Sequence, residues 1–270
     1  MYGAVYGDLV GSIYEYREFI KHNAEAMIKA SEEAELLTDE CFISDDTILT
    51  VAVAEAMERE LDFEENIRKY ILDNSGPVNR ENYFKYLFSP NTIKWANGET
   101  NGVSIGNGAI MRISPVGNLC KTLLLLTHDT IKVTTPTHNS ESAIKAALCV
   151  SNMIYLARNG SGKSYIKKVV DNFFPYNYDF NLNDLRREMK FNYSCEETMP
   201  LVLYVIFNTN NFDDAIRMTL SLGGDTDTNC CIVGSIAEAL YGMPEYLKDK
   251  VDKYLPKEYI PILRYEICKK

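Results

Sequence analysis

The chain has 270 residues, 46% of them hydrophobic and 24% charged, enough apolar material for one large core. Its formal net charge of -10 and sequence pI near 4.9 argue against nonspecific binding to nucleic-acid phosphates. No apolar run reaches the roughly 18 residues of a membrane span, and the first residues, MYGAVYGDLVGS, carry no basic leader. The expectation is a cytoplasmic protein with no membrane partner, folded as a single domain over residues 1–270. The seven cysteines show no CxxC spacing, which points to free thiols and not to a disulfide framework or a zinc site. With three histidines, a His-rich metal site is a poor reading.

In chain order, Gly7-Asp8-Leu9-Val10-Gly11 comes first, followed by Glu15. Two glycines four residues apart on a helix let a second helix approach closely. Asp8 reads equally well as a buried, hydrogen-bonded polar residue, and Glu15 has no obvious salt partner in the sequence. Thr47 to Leu61 places Ile48, Val51, Ala52, Ala54 and Met57 at helical intervals. Lys94 to Gly108 is a Gly- and Asn-rich loop. Ser140 to Arg158 predicts a helix stopped at Asn159-Gly160, and Asn172 to Asp184 an aromatic, Asn-rich loop. Asp213 to Leu222 and Thr228 to Tyr241 predict two more helices, the last closed by Gly242 and Pro244. Strand-like alternation is scarce; the β-branched run Ile131 to Thr135 is too short to count. The fold class expected is all-α with long loops.

Two of the helix starts carry unusual chemistry: Ser44-Asp45-Asp46-Thr47 and Gly223-Gly224-Asp225-Thr226-Asp227-Thr228. Either alone reads as a cap, since Asp, Ser and Thr accept hydrogen bonds from a first turn and carboxylates suit its positive end. One cap needs one such residue, whereas each start here carries two carboxylates and flanking hydroxyls. Four carboxylates brought together would repel unless a cation balanced them. Oxygen-only ligands suit Mg²⁺, Mn²⁺ or Ca²⁺. Gly106-Asn107-Gly108-Ala109-Ile110-Met111-Arg112 reads as a turn or as a backbone cradle for an anion, and it is neither a Walker nor a Rossmann motif. His138, before a helix, reads as a cap or buried hydrogen-bonding residue, and Cys230 and Cys231 as packing residues.

GDLVGSIYE, SDDT, GNGAIMR, Thr137-His138 and SLGGDTDT occur in that order over Gly3 to about Gly242. This combination resembles the ADP-ribosylglycohydrolase family, which includes the enzyme that reactivates dinitrogenase reductase. The resemblance implies a compact orthogonal all-α domain with two Mg²⁺ ions (Mn²⁺ as an alternative) in an ADP-ribose cleft. It implies metal ligands at Ser44, Asp45, Asp46, Asp225, Asp227 and Thr228, with Glu15 beside them. Ser104, Gly106, Asn107 and Gly108 match the loop that holds phosphates and ribose, and Cys195 to Pro200 a loop near the adenosine end. Glu15 is the first choice for general base and Asp45 the second. The implied reaction is hydrolysis of the N- or O-glycosidic bond between ADP-ribose and a protein side chain or small molecule, with ADP-ribose as product. A noncatalytic ADP-ribose-binding or structural protein and a metal-dependent phosphohydrolase remain open alternatives. The sequence departs from the family pattern at Asn229-Cys230-Cys231, where small apolar residues are usual, and the lone Trp95 matches nothing in it.

Overall fold

Short polar residues write half of the described helix starts. Asn23, Ser44, Asp62, Ser89, Thr122, Ser140, Ser194 and Asn211 each accept a backbone N–H of the following first turn. The computed structural model describes residues 1–15, 23–78, 86–188 and 193–265. Within them run α1 (Tyr2–Glu15), α2 (Ala24–Ser31), α3 (Asp45–Arg59), α4 (Phe63–Asp73) and α5 (Pro90–Ala96). The short α6 (Gly108–Met111) and α7 (Ser114–Leu119) lead to α8 (Leu123–Thr134), α9 (Glu141–Arg158), α10 (Lys163–Phe173) and α11 (Leu182–Glu188). Then come α12 (Cys195–Asn208), α13 (Phe212–Ser221), α14 (Thr226–Tyr241), α15 (Glu245–Val251), a 3₁₀ turn (Asp252–Tyr254) and α16 (Tyr259–Leu263).

The fold is all-α. Among the described residues only two isolated bridges occur, Val103 with His138 and Gly106 with Ser194, and no strand. The four helices expected from periodicity are present with ends displaced by a few residues. Most of the β-branched run Ile131 to Thr135 lies in the last turn of α8. That helix has no clean apolar stripe in sequence because Leu123, Leu124 and Leu125 point outward while Leu126 is buried. Trp95 is a core residue, with the Arg68 guanidinium 3.9 Å above its ring. The aromatic loop after α10 is pinned by Tyr178 against Phe207 and Phe180 against Tyr204. Six cysteines are buried free thiols; Cys268 lies outside the described residues, as does His22.

The centre is the α1–α14 pair. Both helices are buried over nearly their whole length, polar residues such as Asp8, Ser12, Asp227 and Thr228 included. A Cβ on Gly3, Gly7 or Gly11 would fall 2.2, 2.0 or 2.3 Å from the carbonyl oxygens of Gly234, Cys230 and Thr226. No real Cβ tolerates such distances, so these three glycines allow backbone-to-backbone contact. The contacts step up α1 as they step down α14, so the helices are antiparallel. The C-terminal end of α1, with Glu15, therefore lies beside the N-terminal end of α14, with Asp225 and Asp227.

Candidate functional site

On α1, Asp8 and Glu15 are seven residues apart, about two turns, and share a face. Asp8 is fully buried. Its Oδ2 accepts from the amides of Ser44 at 2.9 Å and Thr47 at 3.1 Å, and from the Thr47 hydroxyl. That one oxygen ties α1 to the start of α3. Its Oδ1 is buried and has no partner among the described residues. At the start of α3 the Ser44 hydroxyl accepts from the Asp46 amide at 3.2 Å and donates to Asp46 Oδ2 at 3.1 Å.

The start of α14 is built differently. Gly223 and Gly224 sit at φ +66° and +75°, in the left-handed region that glycine occupies cheaply. They turn the chain sharply into Asp225, which occupies the cap position yet makes no capping bond. Its carboxylate instead accepts from Asn107 Nδ2 at 2.6 Å. Thr226 donates to the Gly11 carbonyl at 2.8 Å, fixing α14 to α1. Thr228 donates to Asp46 Oδ2 at 3.3 Å, so the two acidic helix starts meet. Both helix N-termini bring partial positive charge to the same place.

Two groups of carboxylates result. Oxygens of Asp8, Asp46 and Asp227 lie within 4.8 Å of one another, as do those of Glu15, Asp225 and Asp227. Asp227 belongs to both. Among the described residues no Lys or Arg pairs with Asp8, Asp46 or Asp227. Burial, followed by mutual repulsion, raises the pKa of Asp46 and Asp227 well above the carboxylate range. Asp45, partly open to solvent, is pushed up to about 8 by burial and then by Glu15 and Asp8. Asp8 reaches only about 6, because bonds from Thr47 and Ser44 oppose its burial. Buried oxygens of Asp8 and Asp46 that lack a partner among the described residues, in an all-oxygen donor set, fit a hard divalent cation.

The Gly-rich loop borders this cluster. Asn107 joins the two through its bond to Asp225, and its amide donates to the Tyr193 carbonyl at 2.7 Å. The Cys195 amide donates to the Ile105 carbonyl at 2.9 Å and its thiol to the Gly106 carbonyl at 3.0 Å. The Gly106 amide donates to Ser104 Oγ at 3.1 Å, inside the loop. A Cβ on Gly108 would lie 3.3 Å from the His138 ring, so glycine here leaves room for the imidazole.

A family model described as ADP-ribosylglycohydrolase matches residues 1–266. The chain belongs to that family. It is 25% identical over 181 residues to the ADP-ribosylarginine hydrolase Tri1 of Pseudomonas putida (strain GB-1), covering 65% of this chain and 48% of that protein. It thus spans about half the length of that relative. It is 24% identical over 234 residues to the ADP-ribosyl-[dinitrogen reductase] glycohydrolase of Rhodospirillum rubrum, covering 80% of this chain and 76% of that one. A solved structure titled "ADP-ribosylglycohydrolase-related protein complex" shares the fold, with TM-score 0.68 and 19% identity over 97% of this chain and 93% of the other.

Against the residues that the ADP-ribosylglycohydrolase resemblance marked out, the structure brings Glu15, Asp46, Asp225 and Asp227 into the two groups. It sets Ser44 and Thr228 against Asp46. Asp45 adjoins the cluster electrostatically and lies in neither group. Asp8 is the acidic residue that the site assignment omitted. Its signal was the placement one helical face from Glu15, but its partners Ser44 and Thr47 are 36 and 39 residues away in sequence. Cys195 to Pro200 is not a loop: Ser194 caps it, and it forms the first turns of α12. Cys230 and Cys231 are fully buried packing residues. No helix is long and apolar enough to cross a membrane among the described residues. A cavity of about 810 Å³ lined by Tyr6, Phe212, Tyr241 and Tyr246 shares no residue with the acidic cluster.

Proposed function

We propose that this chain hydrolyses the glycosidic bond between ADP-ribose and a modified acceptor, releasing ADP-ribose. The observation that carries the reading is the pair of carboxylate groups sharing Asp227, built where α1, α3 and α14 converge in a family member. Asp8, Asp46 and Asp227 would hold one divalent cation, and Asp225 and Asp227 a second, with Glu15 beside it and Ser44, Asp45 and Thr228 at their border. Mg²⁺, or Mn²⁺ in its place, would supply Lewis acidity and orient the distal ribose. The ligand set is all oxygen and anionic, which favours these ions over zinc.

The remaining steps belong to the protein's own groups. Glu15 is the general base that takes a proton from the attacking water; its carboxylate stands at the cluster's edge, half-buried at the end of α1. Asp45 is the alternative base, because it lies outside both groups and keeps some exposure. Asn107 links the cluster to the loop, so a ligand bound along Ser104–Gly108 is positioned relative to Asp225. Because the Gly106 amide already serves Ser104, the loop's contribution to a diphosphate rests on its remaining donors. One domain over residues 1–270 carries the whole site in this reading.

The named hydrolase relative acts on ADP-ribosylarginine, so an arginine linkage is the first acceptor to try. The test is incubation with ADP-ribosylated peptides of Arg and Ser linkage in the presence of Mg²⁺, with products read by mass spectrometry. Intact ADP-ribose is the expected product. AMP would instead indicate attack on the diphosphate, and binding of ADP-ribose without turnover a noncatalytic module.

A further inference from the structure

Arg112 is among the largest fully buried side chains of the protein, 2% exposed, yet no carboxylate pairs with it among the described residues. Its Nη2 donates to the Val133 carbonyl at 3.2 Å and to the Thr137 hydroxyl. Thr137 Oγ1 stands 2.6 Å from His138 Nδ1 and 3.5 Å from the Thr134 carbonyl. His138 is buried, and its Nε2 edge lies under the loop, 3.7 Å and 3.3 Å from where a Cβ of Gly106 or Gly108 would be.

The hydroxyl has one proton and two neighbours that could take it. With Arg112 donating to its oxygen, that proton goes either to His138 Nδ1 or to the Thr134 carbonyl. The carbonyl is at the far limit of a hydrogen bond, and the imidazole nitrogen is at a short, strong distance. A proton on Nδ1 would force the hydroxyl onto the poor acceptor; an unprotonated Nδ1 accepts the hydroxyl's proton at the short distance. A second ring proton is opposed by burial and by the nearby Arg112 cation, which together push the His138 pKa down to about 3.

We propose that Arg112 is a positioning residue: through Thr137 it holds His138 as the Nε2–H tautomer, so that an uncharged N–H donor stands beneath the Gly106–Gly108 loop for an oxygen of the bound ligand. The naming of that ligand as ADP-ribose rests on the function proposed above; the tautomer does not. The relay also gives the buried cation a task other than ion pairing, and it accounts for glycine at position 108, where a side chain would crowd the ring.

The experiment is long-range ¹⁵N–¹H correlation on protein with labelled histidine, metal-free, between pH 5 and pH 8, with His138→Gln identifying the signal. The expected result is a single neutral tautomer protonated on Nε2. Thr137→Val should mix the tautomers or move the proton to Nδ1, and Thr137→Ser should restore the parent pattern. A parent ring protonated on Nδ1, or an unchanged Nε2–H signal in Thr137→Val, overturns the relay. In parallel, calorimetry with ADP-ribose on Mg²⁺-loaded protein should show affinity reduced about tenfold in Thr137→Val and near parent in Thr137→Ser, the effect of one well-placed hydrogen bond. Unchanged affinity in Thr137→Val would refute the N–H's use by the ligand. A parent protein that binds no ADP-ribose would refute the cleft reading instead, while the spectra still decide the relay.

Discussion

The two ends of the α1–α14 pair share one packing device and treat charge in opposite ways. At the Tyr2 end, carboxylates have protein cations or donors beside them. Arg264 meets Asp252 at 2.6 Å, Asp249 at 3.0 Å and Glu245 at 3.1 Å, the Tyr2 hydroxyl donates to Asp252, and Lys250 pairs with Glu35. At the Glu15 end, Asp8, Asp46 and Asp227 are buried together, and among the described residues no Lys or Arg pairs with them. Buried like charges are held only where something balances them or protons neutralise them. The first end is complete as folded; the second is arranged for a positively charged visitor. The difference separates structural electrostatics from a site more sharply than the number of acidic residues does.

The largest way to break the comparison is to part the helices. Gly7→Val would place a Cβ 2.0 Å from the Cys230 carbonyl oxygen, backbone that cannot step aside. Overpacking of this kind costs about 3 kcal/mol or more, and urea unfolding should show it with or without metal. A midpoint equal to the parent's would refute the glycine contact. Next in size is the base: Glu15→Gln should lower turnover about a hundredfold to ten-thousandfold while keeping ADP-ribose binding. If it turns over at the parent rate and Asp45→Asn is inactive with metal bound, the base is Asp45.

A smaller effect comes from His138. Its folded pKa, lowered to about 3 by burial first and Arg112 second, lies below its unfolded value of about 6.5. The unfolded chain therefore binds the extra proton first. The stability this neutral ring contributes is complete above the unfolded pKa and declines as pH falls from there toward the folded one. His138→Gln should flatten that part of the stability–pH curve relative to the parent, measured by chemical unfolding between pH 7 and pH 4. Two parallel curves would mean the ring is not buried neutral. The smallest effect belongs to the complete end: Glu35→Ala should move the melting temperature by less than about 2 °C and leave its response to Mg²⁺ as in the parent.

Much of this contrast was legible in sequence, for local reasons. Asp45-Asp46 and Asp225 to Thr228 announce themselves because a helix start needs one capping residue and each has several. Gly7 and Gly11 announce close packing through their spacing alone. What the sequence withheld depends on contacts between distant segments. Asp8 acts through Ser44 and Thr47, and Arg112 through Thr137, 25 residues on. Helix α8 hid because three of its leucines face solvent, and Cys195 to Pro200 was read as a loop from the family resemblance alone, although Ser194 before it is an ordinary cap for the helix that forms there.

The central claim is that the Glu15 end is completed by divalent cations held through the shared Asp227. The direct measurement is the melting temperature of chelator-treated protein as Mg²⁺ is titrated to millimolar concentration, with Asp227→Asn alongside. A ligand bound only by the native state must raise it. The account predicts a saturable rise in the parent and almost none in Asp227→Asn, which without metal should melt above the parent because one buried like charge is gone. No rise in the parent with either Mg²⁺ or Mn²⁺, or an equal rise in both proteins, would contradict it.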